Sequence, residues 1–158
     1  MLSDGDLYIV DVTLVQKVVR NIEYTPIPAS PHAVAGIANL KGGIITVLSL
    51  AELLGRKRGE QAVNAVVFKS SESSGDQMGL LVDKPGELVD ISDDGILPPP
   101  LAEKEEEKFC ISGIAEAEGV LYRIIDIDEI ANRFRGSGEP APDPGMTTQG
   151  GANDEGEN

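Results

Sequence analysis

The chain has 158 residues, of which 13 are basic and 27 acidic, for a formal net charge of −14. So acidic a surface repels phosphate backbones and anionic lipid, which argues against nucleic acid as a partner. No apolar run approaches the roughly 20 residues of a membrane span, and the start lacks the basic-then-apolar layout of a signal peptide, so a cytoplasmic protein with no direct membrane insertion is expected.

In chain order the apolar pattern is short and punctuated: "DLYIVDV" from Asp6, "QKVVRNI" from Gln16, "GGIITVLSL" from Gly42, "AVNAVVFK" from Ala62, "QMGLLVD" from Gln77, "GELVDI" from Gly86, "FCISGIA" from Phe109 and "GVLYRIIDI" from Gly119. These are strand lengths, rich in Val and Ile and bounded by Gly, Pro, Ser and Asp. The segment Ser70 to Asp76, and the stretch Glu116 to Gly119 with its turn glycine, supply hairpin signals. Helical signal is confined to "SLAELL" and "DIDEIANRF", each opened by a capping pair three residues apart, Ser49 with Glu52 and Asp126 with Glu129.

One unit is written twice. "GIANLKGGIITVLSLAEL", residues 36–53, aligns without a gap on "GIAEAEGVLYRIIDIDEI", residues 113–130. Both begin Gly-Ile-Ala, both carry a turn glycine (Gly42, Gly119) and both reach a glutamate (Glu52, Glu129). A weaker echo, offset by 70, lays Leu7 to Val19 on Gln77 to Val89. The acidic run Ala102 to Lys108 has the length that accounts for the change of offset from 70 to 77. Two units of about five short strands, each too small for a robust core, are expected to form two small barrels packed together.

Residues 136–158 hold one methionine as their only large apolar side chain and five acids without a base. They cannot bury enough surface to offset ordering, so a disordered acidic tail is expected after a folded body of residues 1–135. That body retains 13 bases against 22 acids and remains acidic.

The inventory for catalysis is thin. His32 is the only histidine, in "IPASPHAV", and Cys110 the only cysteine, in "FCISGIA". No His pair, Cys–His cluster or Ser–His–Asp set can be drawn. His32 is expected in a surface loop and Cys110 in the core. Helix capping accounts for Asp126, so the pair Asp126 and Asp128 is not expected to do acid–base work, and "LKGG" lacks the spacing of a phosphate loop. No enzyme, cofactor or metal site is expected.

"VTLVQKV" at Val12 to Val18, "IPASPHAVAGIANLKGGIITVLSL" at Ile27 to Leu50, "GLLVDKPGELVDI" at Gly79 to Ile91 and "ILPPP" at Ile96 to Pro100 together resemble the CheW-type chemotaxis coupling family. The resemblance spans essentially Asp4 to Phe134. It implies a mostly β fold of two SH3-like five-stranded barrels with short helices. It also implies a non-enzymatic adaptor that joins the cytoplasmic tips of methyl-accepting chemotaxis receptors to the regulatory domain of a chemotaxis histidine kinase. Carried over residue by residue, it places partner contacts at Val15, Lys17, Asn39, Leu40 and Lys41.

The chain departs from the family pattern in three places. It starts at what would be the end of the first strand, Lys41 stands where arginine is usual, and Lys17 stands where glutamate is common. The alternative reading is a CheW-like regulatory module of a different signalling system, with a partner other than a chemoreceptor.

Overall fold

The computed structural model describes residues 1–3, 6–70, 76–99, 101 and 109–137. Parts of the expected Ser70–Asp76 hairpin loop, the acidic run at 102–108 and the tail from 138 onward lie outside these residues.

The described strands are β1 (Leu2–Ser3), β2 (Asp6–Ile9), β3 (Val15–Val19), β4 (Val34–Leu40), β5 (Gly43–Ser49), β6 (Asn64–Phe68), β7 (Gln77–Val82), β8 (Ile96–Leu97), β9 (Ile111–Ala117) and β10 (Val120–Ile125). They are joined by helices α1 (Leu50–Leu53) and α2 (Ile127–Ser137) and by 3₁₀ turns at Val12–Leu14 and Asp93–Gly95. The strands form two five-stranded sheets, in the orders β1-β2-β10-β9-β8 and β3-β6-β7-β5-β4. The mostly β architecture matches the one expected.

The chain divides into two compact units, Met1–Asp126 and Ile127–Asn158. The first holds all described strands. The described part of the second is α2, which runs through Ser137 and so takes in Gly136 and Ser137, two residues assigned to the tail from sequence.

Within Met1–Asp126 the chain exchanges strands between the sheets. β2 does not stay with its neighbour β3 but lies parallel to β10, with Arg123 opposite Tyr8 and Ile124 opposite Ile9. β7 lies parallel to β5 in the other sheet, with Thr46 opposite Met78 and Val47 opposite Gly79. Tyr8 and Ile9 are therefore the counterparts of Met78 and Gly79 at the offset of 70. The run "GELVDI" forms no strand. Leu88 in its middle is 81% exposed and Val89 and Ile91 are only half-buried, so the run has no fully buried side chain to reward pairing. It passes instead by the chain start, where a Cβ on Gly86 would lie 3.0 Å from the Met1 nitrogen. The chain start is tied to β2 by two bonds of 2.8 Å, from the Met1 ammonium to the Tyr8 carbonyl and from the Tyr8 N–H to the Met1 carbonyl.

The interior of the second sheet is built from Ile22, Ala35, Ala38, Ile45, Val47, Ala62, Ala65, Val67 and Leu81. Its strands feed α1 directly from β5, and Ser49, fully buried, caps that helix by accepting from the Glu52 N–H at 3.3 Å. Cys110 is buried as expected, its thiol donating to the Leu53 carbonyl at 3.5 Å. Among the described residues no helix is long and apolar enough to cross a membrane.

Candidate partner-binding site

The two copies of the repeated unit each fold as a hairpin followed by a helix. β4 and β5 turn at Lys41-Gly42, and β9 and β10 turn at Glu118-Gly119. All four turn residues are left-handed: Lys41 has φ 50° and Gly42 φ 84°, Glu118 φ 52° and Gly119 φ 79°. Two consecutive positive φ values define the primed turn whose twist matches the flanking strands, which is why glycine stands second in both. The first position holds a charged residue of opposite sign in the two copies.

Register sets where the candidate residues lie in the second sheet. β3 is antiparallel to β6, β6 to β7 and β5 to β4, while β5 and β7 are parallel. The starts of β3, β5 and β7 therefore share an end with the finishes of β4 and β6. Val15, the first residue of β3, and Asn39, Leu40 and Lys41, at the finish of β4 and its turn, lie at that end, with Lys17 midway along β3; β3 and β4 are the opposite edges of the sheet, so the structure brings 39–41 together but not with Val15 and Lys17. The hydrogen bond from the Gln77 amide to the Gln16 side-chain oxygen joins β7 to β3 there.

Within this group the side chains divide their work. Asn39 is exposed, and its Oδ1 accepts from the Gly42 N–H at 3.3 Å, closing the turn on itself. Leu40 packs against the buried cluster of the sheet, so its side chain serves the core rather than the surface. Lys41 is exposed, and neither its ammonium nor that of Lys17 has an ion-pair partner among the described residues. Val15 is half-buried at the start of its strand.

Large apolar side chains that the sequence did not single out flank these cations: Ile44 is 66% exposed, Val12 55% and Val18 45%. Ile44 sits at the register position opposite Asn39. Its counterpart in the other hairpin, Leu121, is 60% exposed and opposite Glu116. The equivalence was readable in the repeat, because Ile44 and Leu121 align in it; their exposure was not, because both sit in continuous apolar runs whose pattern does not tell which end of the strand leaves the core.

His32 lies in the expected surface loop, 85% exposed at its side chain, with Nε2 3.4 Å from the Glu52 carboxylate. The second Glu52 oxygen is buried without a hydrogen-bond partner.

Comparison with known proteins places this architecture. The model of the CheW-like domain matches residues 2–135. "Chemotaxis protein CheW" of Thermotoga maritima is 30% identical over 120 residues, 76% of this chain and 77% of that protein. "Chemotaxis protein CheW" of Rhizobium meliloti is 27% identical over 123 residues, 78% and 79% of the two chains. The crystal structure of the scaffolding protein TtCheW from Thermoanaerobacter tengcongensis superposes with a TM-score of 0.68 at 31% identity, covering 80% of this chain and 84% of that one. With a match across nearly the whole strand-bearing body and the same mostly β fold, the chain belongs to the CheW-like family.

Proposed function

We propose that this protein is a cytoplasmic, non-enzymatic adaptor that couples the cytoplasmic tip of a methyl-accepting chemotaxis receptor to the regulatory domain of a histidine kinase. Its contact face is the end of the second sheet to which the two edge strands bring charge, Lys17 on β3 and Asn39 with Lys41 on β4, with Ile44 exposed beside the latter. The observation that carries the reading is Ile44, 66% exposed beside the Lys41 turn, in a body where neither Lys41 nor Lys17 has an ion-pair partner among the described residues. An apolar anchor rimmed by charge is the composition of a protein-docking surface. The membership in the CheW-like family supports chemotactic signalling as the setting.

A pull-down tests the reading directly. Immobilised protein should retain both a soluble fragment of a receptor tip and the purified kinase regulatory domain, and should restore receptor control of kinase activity in a mixture of the three. Retention of neither would overturn it.

A further inference from the structure

We infer that Gln16 and Gln77 form a positioning clamp that aims Val15 and Lys17 at the partner, an inference that rests on the contact face proposed above. β3 is the edge of its sheet and, among the described residues, pairs with β6 alone. Its register with β6 steps from Val15 opposite Phe68 to Lys17 opposite Val67. Two residues on β3 are thus matched by one on β6, and Gln16 is the extra residue of a β-bulge. A bulge sharpens the local twist and re-aims the side chains beside it. Here those side chains are Val15 and Lys17.

An edge strand holds such a distortion through one ladder only. Gln77 supplies a second anchor. It begins β7, which lies beyond β6, and its amide reaches across to the Gln16 side-chain oxygen. Through β7 the anchor is tied to β5, since Gln77 is opposite Ile45 in the parallel ladder, and Ile45 is fully buried. The bulge on the edge is in this way fixed to the same strand that carries Ile44. The glutamines act through Val15 and Lys17, so they are positioning residues and not contacts.

The test is a double-mutant cycle on the full chain, read as affinity for a soluble receptor-tip fragment and as melting temperature. Gln16→Met and Gln77→Met keep the length of each side chain and remove the bond. Each should weaken binding by about three- to tenfold, the effect of one hydrogen bond. The double variant should lose no more than either single one, because the bond is already gone. Melting temperatures should fall by no more than the few degrees that the same bond contributes to the free protein, with no further fall in the double variant. Losses that add in the double variant would mean that each glutamine touches the partner independently, which overturns the clamp. Lys17→Glu and Val15→Asp separate this inference from the reading beneath it. If they weaken binding while both glutamine variants bind normally, the face stands and the clamp fails. If they too bind normally, the face itself is elsewhere and the clamp falls with it.

Discussion

Asp6 and Arg56, fifty residues apart in sequence, meet with the arginine Nη1 donating to the carboxylate Oδ2 at 2.7 Å. Arg123 reaches the same oxygen at 2.9 Å, and Arg56 also donates to the Tyr8 hydroxyl at 3.2 Å. Asp6 opens β2 and Arg123 lies in β10, both in the first sheet, while Arg56 follows α1 at the end of the second sheet's β5. One carboxylate therefore ties the two sheets. Asp6→Asn keeps the shape and removes the charge that both guanidinium groups face. Charge-assisted bonds of this kind contribute about 1.5–3 kcal/mol, and partial exposure of all three side chains screens them. The expected loss is about 1–2 kcal/mol, read as a lower urea midpoint with an unchanged slope.

The same contact sets a dependence on acid. Partial burial pushes the Asp6 carboxyl up, but the hydrogen bonds and charges of Arg56 and Arg123 outweigh it and hold the group below its ordinary value. A carboxyl depressed in the folded state stabilises the fold fully above its unfolded value of about 3.9, and that contribution disappears as pH falls through the lower folded value. The difference in urea midpoint between the parent and Asp6→Asn should thus be constant from neutral pH down to about 5 and shrink below about 4. A difference that is unchanged at pH 3 would show that the carboxylate charge is not what joins the sheets.

The hairpins were legible in the sequence because their requirements are local. A primed turn needs a left-handed second residue, so Gly42 and Gly119 announce it at the same place in both copies. The Ser49–Glu52 cap was readable for the same reason. The inward face of Leu40 could have been read too, since along β4 Ala38 is buried while Ile37 and Asn39 are exposed. The Asp6–Arg56–Arg123 cluster left no signal, because nothing in the residues themselves says that β2 crosses to pair with β10. Alternation tells which face of a strand is buried but not which strand lies beside it. "GELVDI" shows the same limit: its pattern fits a strand, yet Leu88 is 81% exposed.

Gly36 and Gly113 occupy matching positions of the two copies and face the same demand. A Cβ on Gly36 would lie 2.2 Å from the Thr25 carbonyl oxygen, and one on Gly113 2.7 Å from the Leu97 carbonyl oxygen. The counterparts agree in pairing as well, with Thr25 bridged to Ile37 and Leu97 opposite Ile114. Both obstacles are backbone, which cannot swing aside as a side chain can. Gly36→Ala and Gly113→Ala should each destabilise the fold by more than about 2 kcal/mol, with Gly36→Ala the worse of the two. Thermal melts of both variants check the order as well as the sign.

The turn at Glu118-Gly119 can be improved. Glu118 is held at φ 52°, a conformation that costs an ordinary L residue about 1–2 kcal/mol and an asparagine less. Asn-Gly is the preferred pair for this turn. Glu118→Asn should raise the stability by about 0.5–1 kcal/mol, seen as a higher melting temperature. The variant also removes one charge from a body with an excess of acids, which acts in the same direction.

Lys41 occupies the corresponding turn position at φ 50°, so its twin shows which replacements the backbone accepts. Glu118 adopts the same conformation with a carboxylate, and Lys41→Glu therefore reverses the charge without asking the turn to change. An exposed lysine in a surface pair contributes ~0.2–1 kcal/mol. A lysine desolvated against a partner's carboxylate or carbonyl costs about 2–5 kcal/mol of binding when removed. If the face proposed here is correct, Lys41→Glu should abolish receptor-dependent kinase control at an unchanged melting temperature, and Lys41→Arg should retain or improve it. Lys41→Asn separates fold from function most sharply. It suits the turn better than lysine and should melt at or above the parent temperature, yet it lacks the charge and should couple poorly. Normal coupling by both the glutamate and the asparagine variants would remove Lys41 from the contact face and leave the difference between the two hairpin tips without a role in partner choice.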